Sequence, residues 1–290
     1  MHTHSGAVRQ LTGALLITGV VFLVQLIGAL LSNSLSLLSN AGHLFTDAGS
    51  MGLALYAAKI GQNPPTDRLS YGYSRSGIVA AFVNGLILAA VGLALLVSSL
   101  YRLLYPSPVK ATLMLEITVI TLLLNLLTTW ILHPHPKTRD LNRRGVYWHA
   151  LGDSLSSIGI LIAALLIAWT GWTGWDAVAA LAVGLFILWA SWKTGRQSLH
   201  ILMEATPEGA KLDEIRQTFL NHPAVEDVHH LHVWSISPDL HALSAHVRLA
   251  TLSIREGQRI IEDLTQALAD QHDIQHVTIQ LEADRHDDVF

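Results

Sequence analysis

Two pairs of ionisable residues stand inside long apolar stretches of this sequence, His43 with Asp47 and His149 with Asp153. Each pair is spaced i, i+4, which a helix of 3.6 residues per turn stacks on one face. Two imidazoles and two carboxylates form a four-donor N/O set, and tetrahedral coordination at about 2.0–2.2 Å is what Zn2+ prefers. A divalent ion would also offset two carboxylates that each cost about 2.5–3.5 kcal/mol at the centre of a membrane helix. One pair alone has a second account, a hydrogen-bonded clip between neighbouring helices. The recurrence of the same spacing favours a metal site. Glu116 and Asp176 also fall in apolar stretches, but each is within about one turn of a stretch end and is expected to reach interfacial water. Asn33, Asn84 and Asn125 read as buried amides that bridge helices.

A second concentration of donors lies downstream. Ten of the 16 histidines fall from His200 onward, six of them between His222 and His246. In Val228-His229-His230-Leu231-His232 the alternation of a strand sends His230 and His232 to one face and His229 to the other. His246 on a neighbouring strand and Glu282 after the last strand could complete a metal site with His229, His230 or His232.

These donors need elements to carry them. Of the 290 residues, 51% are apolar and only 14% are charged, against roughly a quarter charged in soluble domains; mean hydropathy is +0.40. Runs at 11–31, 36–60, 77–101, 112–132, 146–170 and 175–193 are long enough to cross a hydrocarbon core, which takes about 20 helical residues. Six spans are expected. The first is too long for a cleaved signal peptide and lacks an Ala-x-Ala site. Arg9, Lys59, Arg68, Arg75, Lys137, Arg139, Arg143, Arg144, Lys193 and Arg196 lie on one side, against Arg102 and Lys110 on the other. The positive-inside rule then puts both termini in the cytoplasm.

Beyond the last run the pattern reads helix 208–221, strands 225–237 and 240–250, helix 254–270 and strand 275–281. This order suggests a small α+β domain of the ferredoxin-like kind. The expected division is a six-helix membrane domain over 1–200 and a cytoplasmic domain over 201–290. A net charge of −4 argues against nucleic acid as a partner, and the absence of cysteine excludes disulfides, thiolate zinc sites and thiol nucleophiles.

The motifs Ser34-Leu-Ser-Leu-Leu-Ser-Asn-Ala-Gly-His-Leu-Phe-Thr-Asp47, Tyr71-Gly-Tyr, Ala80-Ala-Phe-Val-Asn84, His149-Ala-Leu-Gly-Asp153, Val228-His-His-Leu-His-Val-Trp234, Leu243-Ser-Ala-His246 and His276-Val-Thr-Ile-Gln-Leu-Glu282 occur in this order. On these residues the chain resembles the cation diffusion facilitator family, in its bacterial zinc-exporting branch related to the vertebrate zinc transporters. The resemblance implies a homodimer in the cell inner membrane, with six transmembrane helices per subunit and a cytoplasmic ferredoxin-like domain. It implies export of Zn2+ in exchange for protons, with Cd2+ or other divalent metals as further candidate cargo and no prosthetic group. His43, Asp47, His149 and Asp153 match the family's intramembrane site. The resemblance favours His229, His246 and Glu282 as cytoplasmic ligands, and His232 completes the candidate set.

The chain departs from many relatives in having Asn40 where they carry Asp, and in a 62–77 loop whose one carboxylate is Asp67. That loop is not expected to hold a metal. His133-Pro-His135-Pro reads as a plain turn. An intramembrane metalloprotease would need His-Glu-x-x-His, which the sequence lacks, and an open coordination position that four protein ligands would fill. No enzymatic activity is expected. A metal sensor would share every ligand and differ only in moving no ions.

Overall fold

A computed structural model describes the backbone of residues 2–132, 141–237, 240–249 and 253–283, with the side chains of 2–15, 132, 141–149 and 254 not described. His133, His135 and His286 lie outside the described residues, as do the side chains of His2, His4 and His149.

Six long helices come first among the described residues: α1 (His2–Ser32), α2 (Leu35–Gly61), α3 (Ser76–Leu104), α4 (Ala111–Leu132), α5 (Leu141–Thr170) and α6 (Gly174–Leu202). Each coincides with one of the apolar runs. Among the described residues four stretches, Ser76–Leu104, Ala111–Ile131, Ala150–Thr170 and Gly174–Leu202, are long and apolar enough to cross a membrane, and Leu16–Ser32 of α1 is a shorter apolar helix. Helix α2 is not among them, because Ser39, Asn40, His43, Thr46 and Asp47 dilute its hydropathy.

The chain packs as two compact units, Met1–Gly52 with Asn84–Lys193, and Leu53–Val83 with Thr194–Phe290. In the first, α4 packs between α1 and α5. Helices α3 and α6 meet at paired glycines: a Cβ on Gly92 would come within 2.8 Å of Leu188, and one on Gly184 within 3.3 Å of Leu95. Small residues at such crossings let backbones approach closely. Asn125 and Asn84 bridge helices as expected, Asn125 donating to Ser157 Oγ (3.1 Å) and Asn84 accepting from Ser50 Oγ (2.6 Å). Asn33 differs. It is exposed in the turn between α1 and α2, with φ 57°, a left-handed conformation that Asn tolerates better than most residues.

Asp176 also differs from its expectation. It is 1% exposed, and its carboxylate accepts hydrogen bonds from the Leu35 and Ser36 backbone N–H groups (2.6 and 3.1 Å) and from the Ser34 and Ser36 hydroxyls (2.6 Å each). Its place near the end of an apolar run was legible, but the run cannot show that another helix begins beside it.

The second unit carries α7 (Leu212–Leu220), β1 (Val225–Ser237), β2 (Leu240–Leu249), α8 (Ile254–His272) and β3 (His276–Glu282) in one sheet of order β1-β2-β3. Strands β1 and β2 are antiparallel, and β2 and β3 are parallel. The apolar face of β2, Leu243, Ala245, Val247 and Leu249, is buried against Ile215 and Phe219 of α7 and Ile260, Leu264 and Leu268 of α8. Burying each large side chain contributes about 1.5–3 kcal/mol, so this stripe fixes the register. The opposite face of β2 carries Ser244, His246 and Arg248, and this is where the second group of donors gathers.

Candidate metal centres

In the first unit, α2 and α5 place three of the four expected intramembrane ligands on one cavity. His43 Nε2 lies 3.4 Å from Asp47 Oδ2, as the i, i+4 spacing requires, and both side chains are about one fifth exposed. Asp153 is 6% exposed. All three line a cavity of about 790 Å3, whose remaining wall is mostly apolar and includes Leu155, Ile162, Val178, Val183 and Phe186. His149 lies one turn before Asp153 on α5, and its side chain is outside the described residues.

Several contacts hold the α5 segment in place. Asn125 of α4 donates to the Asp153 backbone carbonyl (3.3 Å), and Ser157 Oγ donates to the same oxygen (2.9 Å). On α2, Asn40 donates to Gln25 of α1 (2.9 Å), with both side chains buried. A cavity with this lining is a low-dielectric site, where carboxylates attract a cation far more strongly than they would in water.

The second unit brings together His229, His246 and Glu282. Each offers one donor atom, all within 4.8 Å of one another. Glu282 Oε2 is 3.1 Å from His229 Nε2, and Oε1 is 2.8 Å from His246 Nδ1. Yet His229 Nε2, His246 Nδ1 and Glu282 Oε2 are buried and make no hydrogen bond among the described residues. They approach one another without hydrogen-bond geometry, which suits donors converging on an ion. A buried polar atom left unpaired costs about 1–3 kcal/mol, and Zn2+ with N/O ligands would satisfy all three. Glu282 is 6% exposed at the end of β3, where Gln280 and Thr278, two and four residues earlier, are exposed. The two imidazoles cover it.

Strand β1 reaches this arrangement by a route that alternation does not anticipate. His229 pairs with His246, and the next pair is His232 with Ser244, so His230 and Leu231 together stand opposite Ala245. Leu231 packs against the core, while His230 is the extra residue of a β-bulge, with φ 46°. The expectation that His229 faces away from His230 and His232 is therefore overturned. His246 and Ser244, the partners of His229 and His232, are two apart on β2 and share a face. The His230 ring lies 5.5 Å from that of His229, 5.1 Å from His246 and 6.4 Å from His232. His232 itself is exposed and stands outside the three-residue group. His230, an alternative to His229 and His232 in the sequence reading but not in the set the resemblance favours, is nearer, and no signal in the sequence marks the bulge that brings it there.

Residues 11–203 match the cation efflux transmembrane domain, and residues 207–284 match the cytoplasmic domain of cation efflux proteins. The cadmium, cobalt and zinc/H(+)-K(+) antiporter of Bacillus subtilis (strain 168) is 37% identical over 98% of this chain and 93% of its own length. The zinc transporter ZitB of Escherichia coli (strain K12) is 34% identical over 94% of this chain and 87% of its own. A solved structure, the metal-bound C-terminal domain of the CzcD transporter from Cupriavidus metallidurans, is 37% identical; it is matched over 25% of this chain and 99% of that one, with a TM-score of 0.23.

Proposed function

Because the chain belongs to the cation efflux family, we propose that it exports Zn2+ from the cytoplasm in exchange for protons, with Cd2+ and other divalent metals as secondary cargo. The observation that carries this reading is the placement of His43, Asp47 and Asp153 on one apolar-walled cavity, with His149 one turn from Asp153 on the same helix. The relatives named above, a cadmium, cobalt and zinc antiporter and a zinc transporter, support the choice of cargo. In this reading the chain is a transporter and not an enzyme. Residues 1–200 form six membrane spans with both termini in the cytoplasm, and residues 201–290 form a cytoplasmic ferredoxin-like domain. Two copies assemble as a homodimer in the cell inner membrane.

The ligand set itself supplies the exchange. An imidazole binds a metal only when neutral and a carboxylate only when ionised, so protons and Zn2+ compete for the same atoms of His43, Asp47, His149 and Asp153. Zn2+ enters from the cytoplasm, α2 and α5 tilt against the other helices, and protons from outside displace the ion. In the cytoplasmic domain His229, His246 and Glu282 hold a resident Zn2+, and His232 is the remaining candidate ligand.

The test is zinc flux into proteoliposomes under an imposed pH gradient. The wild-type protein is expected to transport, and Asp153→Ala is expected to fall to the level of empty vesicles while remaining a folded dimer. Asp47→Ala should behave alike. Near-normal flux from a correctly inserted Asp153→Ala protein would remove the four-ligand site.

A further inference from the structure

The Asp176 carboxylate does none of the metal chemistry described above, yet it is among the most completely engaged side chains in the first unit. Its four donors come from the start of α2: two backbone N–H groups, at Leu35 and Ser36, and two hydroxyls, at Ser34 and Ser36. The first N–H groups of any helix have no partner within that helix and carry its positive dipole end. Here Ser34 Oγ accepts from Leu37 N (3.2 Å), and the two preceding N–H groups go to a carboxylate on α6. Arg102 of α3 adds a cation 3.5 Å from Asp176 Oδ2. It also donates to the Asn33 carbonyl (2.6 Å) and Oδ1 (3.0 Å), while Asn33 Nδ2 donates to the Pro108 carbonyl (2.9 Å). One buried carboxylate and one arginine thus join the α1–α2 turn, the start of α2, the end of α3 and the start of α6.

Two of the joined elements also build the cavity. His43 and Asp47 follow Ser36 on α2, and Val178, Ala179, Ala182, Val183 and Phe186 follow Asp176 on α6. We propose that Asp176 is a positioning residue for metal binding: its grip on the first turn of α2 sets where His43 and Asp47 stand against the α6 wall. His43 lies seven residues past Ser36, about 10 Å along the helix axis. A rotation of α2 by about 5° at its first turn would move His43 by about 1 Å, whereas metal–ligand distances tolerate about 0.2 Å. With its oxygens already held by four donors and a guanidinium, Asp176 is not itself a ligand. The grip also places the pivot of α2 at its first turn, so that a tilting α2 swings its far end.

This inference rests on the transport-site reading, and the experiment separates the two. Zinc binding is measured by calorimetry on the full-length detergent-solubilised protein carrying His229→Ala, His246→Ala and Glu282→Ala, so that the intramembrane site is read alone. Melting temperature is recorded for every variant. Asp176→Asn removes the charge and sets an amide against the Leu35 N–H, and it is expected to weaken zinc binding about tenfold or more, as loss of a group that orients ligands does. Ser36→Ala removes one of the four bonds and is expected to weaken it about threefold with little change in melting. If Asp176→Asn fails to fold, Ser36→Ala decides the matter. Lowered melting temperatures with parental zinc affinity would reduce Asp176 to a helix cap and overturn the proposal. Asp47→Ala in the same background should bind no zinc at this site. If binding survives there, it is the transport-site reading that fails.

Discussion

Exchanging the His43 imidazole for a carboxylate would change both the charge and the softness of the cavity's donor set. Divalent selectivity is governed by ligand type and geometry more than by raw affinity. Asp is shorter, can bind through two oxygens and adds a negative charge, so larger ions should gain on Zn2+. The Cd2+ to Zn2+ flux ratio of His43→Asp is therefore expected to rise several-fold over wild type in the same vesicles, an unchanged ratio showing that selectivity is set elsewhere. At this scale the sequence was informative wherever chemistry and periodicity coincide. His43, Asp47 and Asp153 were legible because ionisable residues at i, i+4 in an apolar run have few other uses, and all three line one cavity. The surroundings of Asp176 were not legible, because its partners are 140 to 142 residues away.

Among the elements, α8 shows how local signals fix a boundary. Ser253 caps the helix by accepting from the Glu256 N–H (3.3 Å), its hydroxyl donates to the Glu256 carboxylate (2.5 Å), and Asp273 closes the other end with φ 56°. Ser253→Ala should cost about 1 kcal/mol, read as a lower melting temperature of the zinc-free protein with zinc flux unchanged. A variant that melts with wild type would mean that packing of Ile260, Leu264 and Leu268 alone sets the start of this helix. Signals of this kind are short-range, and the expected bounds of 254–270 for this helix and 240–250 for β2 lie within two residues of Ile254–His272 and Leu240–Leu249. The end of α6 was not legible. Its apolar run stops at 193, but Lys193, Arg196 and Gln197 favour helix as well as leucine does, and the helix continues to Leu202. Hydropathy marks where apolar surface ends, not where hydrogen bonding within a helix ends.

For the molecule as a whole, the two candidate metal centres should differ in what their loss does. Replacing His229, His246 and Glu282 together by Ala should leave measurable zinc flux, because these ligands lie beyond the last long helix. The same variant should lose the zinc-dependent part of its thermal stability: an ion at 100 times its dissociation constant contributes about 2.7 kcal/mol, so a chelator should lower the melting of wild type and not of the variant. Flux as low as that of Asp153→Ala would refute this division of roles. The bulge in β1 bears on how such a centre can vary among related chains. Without His230 the strand would alternate regularly, with Val228, Leu231 and Val233 still facing the core and His229 and His232 still facing away. Gain or loss of a single histidine codon at this point would therefore add or remove an imidazole beside the His229 and His246 rings without disturbing one inward side chain, which makes the length of the strand, as much as its letters, a variable on which selection for metal affinity can act.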